Sequence, residues 1–78
     1  MNNQDALKII REILIDLFVD SELPEFIEDL KMGDLEEWDS LGNFNLILEC
    51  ESRFNVRFPM DAISDWNSIR KILDYVVR

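Results

Sequence analysis

The sequence predicts one all-α domain over residues 1–78, a small bundle of three longer helices and one short helix with a long first loop. Two observations predict this fold. Apolar residues recur at helical spacing in three separate stretches, and an acidic stretch containing Pro24 and Gly33 separates the first two. A chain of 78 residues supports a single domain with a modest core.

The first predicted helix covers residues 5–19, with Asp5 as its N-cap. One apolar stripe indicates the buried face, and three isoleucines widen that stripe, so we expect the helix to contact two neighbours. The pair Asp20-Ser21 ends the helix. The stripe consists of Leu7, Ile10, Leu14, Leu17 and Phe18, and the widening residues are Ile9, Ile13 and Ile15.

The connection over residues 20–39 is long for so small a domain, which indicates either a function or a short element of its own. Pro24 suits the first turn of a helix, which favours one or two helical turns over residues 24–30. The ligand spacing of a calcium loop is absent, so we expect a solvated acidic surface and no metal site. The residues expected to pin the connection to the core are Phe26, Ile27, Leu30, Met32 and Leu35.

The second predicted helix covers residues 40–54, and its apolar positions sweep more than half of the circumference. We expect one part of this arc to face the core and the other to line an exposed flank beside Ser40, as at a docking surface. Alternatively, the long connection folds over this flank. Cys50 is interpreted as a small buried apolar residue, since nothing basic is placed to activate it. The predicted core positions are Leu46, Ile47, Cys50 and Phe54, and the predicted flank is Leu41, Phe44 and Leu48.

Ser40 lies where the acidic connection turns into this apolar helix. The free N–H groups and the positive end of the helix dipole favour an anion there, such as a phosphodiester. The pair Asp39-Ser40 alone is in most cases an ordinary N-cap and nothing more, and only the spacing of the surrounding residues changes that interpretation.

The third longer helix follows Asn55, where we expect a left-handed cap, and an extended segment over residues 56–58. Residues 59–63 have room for a single helical turn, the short fourth helix. The last helix is predicted to start within residues 65–68, with Tyr75 at the border of its buried stripe. That stripe consists of Ile69, Ile72, Leu73 and Val76.

The charge and composition exclude several functions. The net charge is −9, from 17 acidic and 8 basic residues, which disfavours nucleic acid and anionic membranes as partners. There is no histidine, and no pair of nucleophile and base can be assembled, so we do not expect an enzyme. One cysteine, no signal peptide and no membrane-spanning run predict a cytoplasmic protein without direct membrane insertion, by default a monomer.

These residues resemble the acyl carrier proteins and the related peptidyl and aminoacyl carrier domains. The attachment motif of that family, Asp-Ser-Leu, reads here Asp39-Ser40-Leu41, flanked by Trp38 and Gly42 as in some stand-alone carriers. The match then continues without a detectable gap over most of the chain. The matching stretches are 51–54 at the end of the second helix, 56–59 in the linker, and 68–76 in the last helix.

The resemblance implies a carrier and not an enzyme, with phosphopantetheine attached covalently to Ser40 by a phosphopantetheinyl transferase. The terminal thiol of that arm would hold an acyl, peptidyl or aminoacyl group as a thioester. Further implied partners are a loading ligase or acyltransferase and condensing or transfer enzymes. The implied recognition residues are Asp39, Leu41, Phe44, Leu48 and Glu51.

One departure from the family pattern indicates which kind of pathway the carrier serves. Fatty-acid carriers have an acidic recognition helix, whereas here Gly42, Asn43 and Asn45 are neutral and Arg53 is positive. The acidic residues that remain along much of its length are Asp39, Glu49 and Glu51. We therefore expect a carrier for a specialised pathway and not for bulk fatty acid synthesis. Gly42 is expected to leave room for the arm or for a partner. The alternatives are a D-alanyl carrier for teichoic acid modification and, in a different class, a helical adaptor whose serine stays unmodified.

Overall fold

The computed structural model describes residues 2–59 and 65–77, and within these ranges the chain forms three α-helices. They are α1 (Asn3–Leu17), α2 (Ser40–Phe54) and α3 (Ile69–Val76). The only pairing of the sheet type among these residues is an isolated bridge between Lys31 and Ser68. The all-helical fold is confirmed. The predicted short fourth helix falls almost entirely outside the described residues, so the predicted count of four helices is not confirmed.

Helix α1 begins and ends two residues earlier than the sequence predicts. Asn2 is the N-cap, and its side-chain oxygen accepts a hydrogen bond from the Asp5 N–H at 2.8 Å. The prediction that Asp5 caps the helix is therefore wrong, because Asp5 lies in the first turn, where its charge complements the helix dipole. At the other end Phe18 leaves the helical conformation and is buried, while Val19 points into solvent.

Helix α1 packs against both other helices, which confirms the expected pair of neighbours. Ile10, Ile13 and Leu14 are buried in this core. Ile15 is 53% exposed, so its predicted place on the widened apolar side is wrong. At about 100° per residue, Ile15 lies about 140° around the helix from Ile10 and about 160° from Ile13, and therefore points away from the core.

The connection over residues 20–39 contains turns but no helix, so the predicted helical turns over residues 24–30 are wrong. The Arg11 guanidinium explains the difference. Its Nη2 donates to the carbonyl oxygens of Pro24 and Glu25, both at 2.6 Å, and so holds this backbone against α1. Ile27 is buried as expected, whereas Phe26 is 71% exposed and does not pin the connection.

The second half of the connection is fixed to the start of α3. The Met32 N–H donates to the Asn67 carbonyl oxygen at 2.8 Å, and the Ile69 N–H donates to the Leu30 carbonyl oxygen at 3.0 Å. Leu35 is buried and Leu30 and Met32 are half-buried, which confirms their predicted contact with the core. The long connection is therefore an ordered layer that spans from α1 to α3.

Helix α2 ends at the cap that the sequence predicts, and α3 begins directly after Ser68, the last residue of its predicted start. Asn55 ends α2 in the left-handed conformation, with φ 55° and ψ 48°. Ser68 caps α3, its side-chain oxygen accepting from the Lys71 N–H at 3.3 Å. Tyr75 is half-buried at the border of the α3 stripe, as expected. The buried residues of that stripe are Ile69, Ile72 and Leu73, and Val76 is half-buried.

An aromatic cluster fixes the linker between α2 and α3. Phe58 is buried and stacks on Tyr75, with ring centroids 4.5 Å apart, and meets the edge of Trp66 at 5.3 Å. The Tyr75 hydroxyl donates to the Arg57 carbonyl oxygen. These contacts hold the segment that follows α2 against α3.

Candidate functional site

Ser40 is the first residue of α2 and is exposed, as the sequence predicts. The capping is done by its neighbour. Asp39 Oδ1 accepts from the Gly42 N–H at 2.8 Å, and the Asp39 carbonyl oxygen accepts from the Asn43 N–H at 2.8 Å. The cap and the hydroxyl that the motif singles out are therefore supplied by two different residues.

Trp38 anchors the backbone just before Ser40. Its side chain is fully buried and stacks against Phe18, with ring centroids 6.2 Å apart and the ring planes inclined by 27°. The indole Nε1–H donates to Asn43 Oδ1 at 2.9 Å. One buried hydrogen bond thus joins the residue two before Ser40 to the residue three after it.

Asn43 does not lie on the recognition surface, although the resemblance to fatty-acid carriers suggests that position. Its side chain is only 4% exposed, and the amide oxygen is the acceptor for Trp38. The sequence does contain a signal for this placement. Asn43 precedes the core residues Leu46, Ile47 and Cys50 by three, four and seven residues, which places it on the buried face of α2. Because asparagine is polar, this position is assigned to the surface in the sequence-based prediction despite the spacing.

Gly42 is buried, and the space beside it is occupied by this chain. A Cβ atom there would overlap the Glu37 carbonyl oxygen and would lie 3.1 Å from Phe18 Cε1. The expectation that Gly42 leaves room for a prosthetic arm or a partner is therefore wrong. The missing side chain instead lets the segment before Ser40 approach the first turn of α2.

Glu37 connects the same segment to the end of α1. Its Oε1 accepts from the Asp20 N–H at 2.9 Å and from Ser21 Oγ at 3.1 Å. The approach to Ser40 is thus held by Glu37 on one side and by the buried Trp38 ring on the other. A shallow groove of about 310 Å³ lies beside this segment, and its lining includes Leu17 and Phe18 at the end of α1 and Leu41 and Asn45 of α2.

The predicted flank of α2 is exposed. Leu41, Phe44 and Leu48 are 69%, 41% and 40% exposed, so the connection does not cover them in the described part of the chain. The predicted core positions are on the other side of the helix: Leu46, Ile47 and Cys50 are fully buried and Phe54 is half-buried. The division of the helix into a core face and an exposed apolar flank is confirmed.

Asn45 and Ser52 are exposed and share the face of Leu41 and Leu48, because these residues are spaced by three, four or seven positions. Arg53 is turned towards α1, where its guanidinium lies 3.7 Å from Glu12 and 3.5 Å from Asp16. Its charge is therefore directed away from the flank. Residues 41, 45, 48 and 52 are uncharged, and Glu49, which lies beside Asn45 and Ser52 on the helix, is paired with Arg53 at 3.8 Å.

Of the two acidic residues predicted to contact partners, Asp39 is exposed next to Ser40. Glu51 is half-buried, and its Oε2 accepts from the Phe58 N–H at 2.7 Å. Glu51 therefore has a structural bond to the linker, and its role in recognition stays a prediction.

Cys50 lies in the core, as the sequence predicts. Burial, with a smaller contribution from the Glu49 charge, raises the pKa of the Cys50 thiol to about 12. The thiol is therefore protonated at neutral pH and is a poor nucleophile. In the described residues no group of three or more His, Cys, Asp or Glu side chains is arranged to hold a metal ion. Over the same ranges, none of the helices has the length and apolar content that a membrane crossing requires.

Comparison with known proteins places this chain in a family. The chain is 37% identical to the D-alanyl carrier protein of Streptococcus suis (strain 05ZYH33) over 75 residues, covering 94% of this chain and 92% of the relative. The chain belongs to the acyl carrier protein family. The protein of Streptococcus thermophilus (strain ATCC BAA-491 / LMD-9), also named D-alanyl carrier protein, is 39% identical over 74 residues, covering 92% of this chain and 91% of the relative.

A third relative, the D-alanyl carrier protein of Streptococcus equi subsp. zooepidemicus (strain MGCS10565), is 40% identical over 68 residues, covering 81% of this chain and 85% of the relative. No family model matches the chain, and no solved structure matches it significantly. Membership of the acyl carrier protein family rests on these relatives. It supports a carrier function and not catalysis by the chain itself.

Proposed function

We propose that this acyl carrier protein carries D-alanine as a thioester on a phosphopantetheine arm attached to Ser40. The observation that carries the proposal is the name shared by the relatives above, D-alanyl carrier protein, over most of both chains. It favours the D-alanyl alternative over the broader expectation of a specialised acyl carrier. The family resemblance adds cell-wall teichoic acid as the destination of the D-alanine.

The surroundings of Ser40 fit a covalently attached arm. The residue is exposed, and Asp39 caps the first turn of α2 in its place. A phosphodiester at this position would lie at the positive end of the α2 dipole. Ser40 Oγ would form a bond to the phosphorus that carries the pantetheine of coenzyme A, while the pyrophosphate bond of coenzyme A breaks and adenosine 3′,5′-bisphosphate leaves. The serine proton would pass to a base of the transferase, so this chain needs no base of its own. The arm supplies the terminal thiol that holds the aminoacyl group.

The apolar flank of α2 supports a dedicated set of partner enzymes. Leu41, Phe44 and Leu48 offer an apolar contact surface, with the neutral Asn45 and Ser52 beside them. A partner that docks there would bury apolar area and depend little on salt. The partners we propose are a phosphopantetheinyl transferase, a D-alanine ligase that loads the arm, and an enzyme that removes the D-alanine. We propose that loading takes place in the cytoplasm.

Two successive reactions test the proposal. The protein is first incubated with coenzyme A and a broad-specificity transferase, and its intact mass is measured before and after. The modified protein is then incubated with ATP, D-alanine and the D-alanine ligase of a relative. Two parallel reactions replace D-alanine with L-alanine, or replace the amino acid and its ligase with a medium-chain fatty acid and an acyl synthetase. We expect one phosphopantetheine on Ser40, followed by loading with D-alanine that hydroxylamine releases.

Ser40→Ala is the control, since it removes only the attachment oxygen. Modified protein that accepts the fatty acid but not D-alanine would favour the broader acyl carrier. A folded wild-type protein that no transferase modifies would favour the adaptor with an unmodified serine.

A further inference from the structure

We infer that Asn43 is a positioning residue for the modification of Ser40, acting through its buried hydrogen bond to Trp38. This inference rests on the proposed function, because it concerns the attachment reaction at Ser40. Neither side chain would touch the arm, because both are buried in the protein. Their effect would be to fix the backbone that presents the hydroxyl.

The hydrogen bond between Trp38 and Asn43 satisfies two buried groups. The Trp38 side chain is fully buried, and an indole N–H in such a place requires an acceptor. Asn43 Oδ1 provides it at 2.9 Å. Asparagine is a poor residue for a helix interior, and a buried amide is costly without a partner. An apolar residue would suit this core position better unless the bond itself were needed.

The bond also encloses the attachment residue. Trp38 precedes Ser40 and Asn43 follows it, so the bond closes a ring over residues 39–42. Residues 39–41 of this ring are exposed. Both ends of the exposed segment are thus held from the inside, and the Asp39 cap also joins its first residue to Gly42. The ring fixes the direction in which the Ser40 side chain points from the protein surface.

Attachment of the arm depends on that direction. Attack on a phosphorus atom requires an aligned oxygen, and a misplacement of about 1 Å can slow a positioned reaction roughly 100-fold. If the ring opens, Ser40 samples several orientations and only a fraction of the molecules is competent. Loss of the bond would not change the exposed flank of α2, which is the surface that a transferase would contact. Loss of the bond should therefore lower kcat for the modification and leave KM nearly unchanged.

The experiment measures kcat and KM for modification of the full chain by a broad-specificity transferase with coenzyme A, and the Tm of each variant. Asn43→Ala and Trp38→Phe each remove the bond from one side. Trp38→Phe with Asn43→Leu replaces both partners with apolar groups, which can restore stability without the bond. Ile47→Val is the matched control, since it removes a buried methyl group from the same helix.

We expect kcat to fall at least tenfold in both single variants and in the double variant, with KM within twofold of wild type. The Ile47→Val control should stay within twofold for both parameters. If kcat instead follows Tm across all four variants, Asn43 is only structural and the inference is overturned. Should Asn43→Ala not fold, Trp38→Phe tests the same bond with a buried ring retained. Failure of wild-type protein to be modified would overturn the proposed function, whereas unchanged kcat in the variants would overturn this inference alone.

Discussion

The carbonyl oxygen of Glu37 lies against Gly42, so close that it leaves no room for a Cβ atom. This contact brings the segment before Ser40 onto the first turn of α2. It accounts for a glycine in a helix, where glycine costs about 1 kcal/mol relative to alanine. Its cause is packing against the backbone, and not the left-handed conformation that glycine often provides.

Gly42→Ala should therefore destabilise the protein despite the better helix propensity of alanine. The added methyl group would overlap a backbone atom, and such overpacking costs about 1 to 3 kcal/mol. Urea unfolding measures the change. Asn45→Ala, at an exposed position of the same helix, is the control and should change the free energy of unfolding by no more than about 0.5 kcal/mol. If Gly42→Ala were as stable as wild type or more stable, the contact with the Glu37 carbonyl oxygen would not limit the size of residue 42.

The division of roles between Asp39 and Ser40 gives a second prediction. Ser40→Ala should leave the free energy of unfolding nearly unchanged, because the Asp39 carboxylate caps α2. Asp39→Ala should cost about 1 kcal/mol through loss of that cap. Urea unfolding of both variants and of Asp39→Asn, which retains a capping oxygen, measures the difference. A larger loss for Ser40→Ala than for Asp39→Ala would contradict the assignment of the cap.

The bounds of α2 were predictable from the sequence because its signals are local. Asp39 and Asn55 are strong capping residues at the two ends, and the apolar spacing between them divides core from flank. The position of Asn43 could also have been predicted, since its spacing from Leu46 and Ile47 places it on the core face. Only the polarity of Asn43 suggested that it lies on the surface.

The connection was predicted less well because its conformation depends on distant residues. Pro24 favours a helical turn locally, yet the Arg11 side chain of α1 binds the carbonyl oxygens of Pro24 and Glu25. Such a long-range bond leaves no periodic pattern in the sequence. The fit of Glu37 against Gly42 likewise depends on the tertiary structure, and the glycine alone suggested open space.

The buried thiol of Cys50 predicts a specific pH dependence of stability. Burial raises its pKa from an ordinary value of 9.0 to about 12, so the folded state holds the proton more tightly than the unfolded state does. The stabilisation is fully present below pH 9 and is lost as the pH rises from about 9 towards 12. Urea unfolding at several pH values should show a steeper loss over this window in wild type than in Cys50→Ala. Equal slopes would mean that Cys50 ionises freely in the folded state.

The exposed flank of α2 predicts which substitutions affect partner enzymes without affecting the fold. Leu48→Ala removes apolar area from a side chain that is 40% exposed on the face of Leu41. We expect KM for the loading ligase to rise severalfold, because the lost contact is made only in the complex. Ile15→Ala is the matched control, since Ile15 is 53% exposed on α1, outside this face.

The same flank predicts a weak salt dependence of docking. Because residues 41, 45, 48 and 52 are uncharged and the neighbouring Glu49 is paired with Arg53, KM of the wild-type protein for the ligase should change little between low and moderate salt. Titration of salt in the loading assay measures this dependence. A KM that rises steeply with salt, or that responds to Ile15→Ala as strongly as to Leu48→Ala, would show that the ligase docks on another part of this acidic protein.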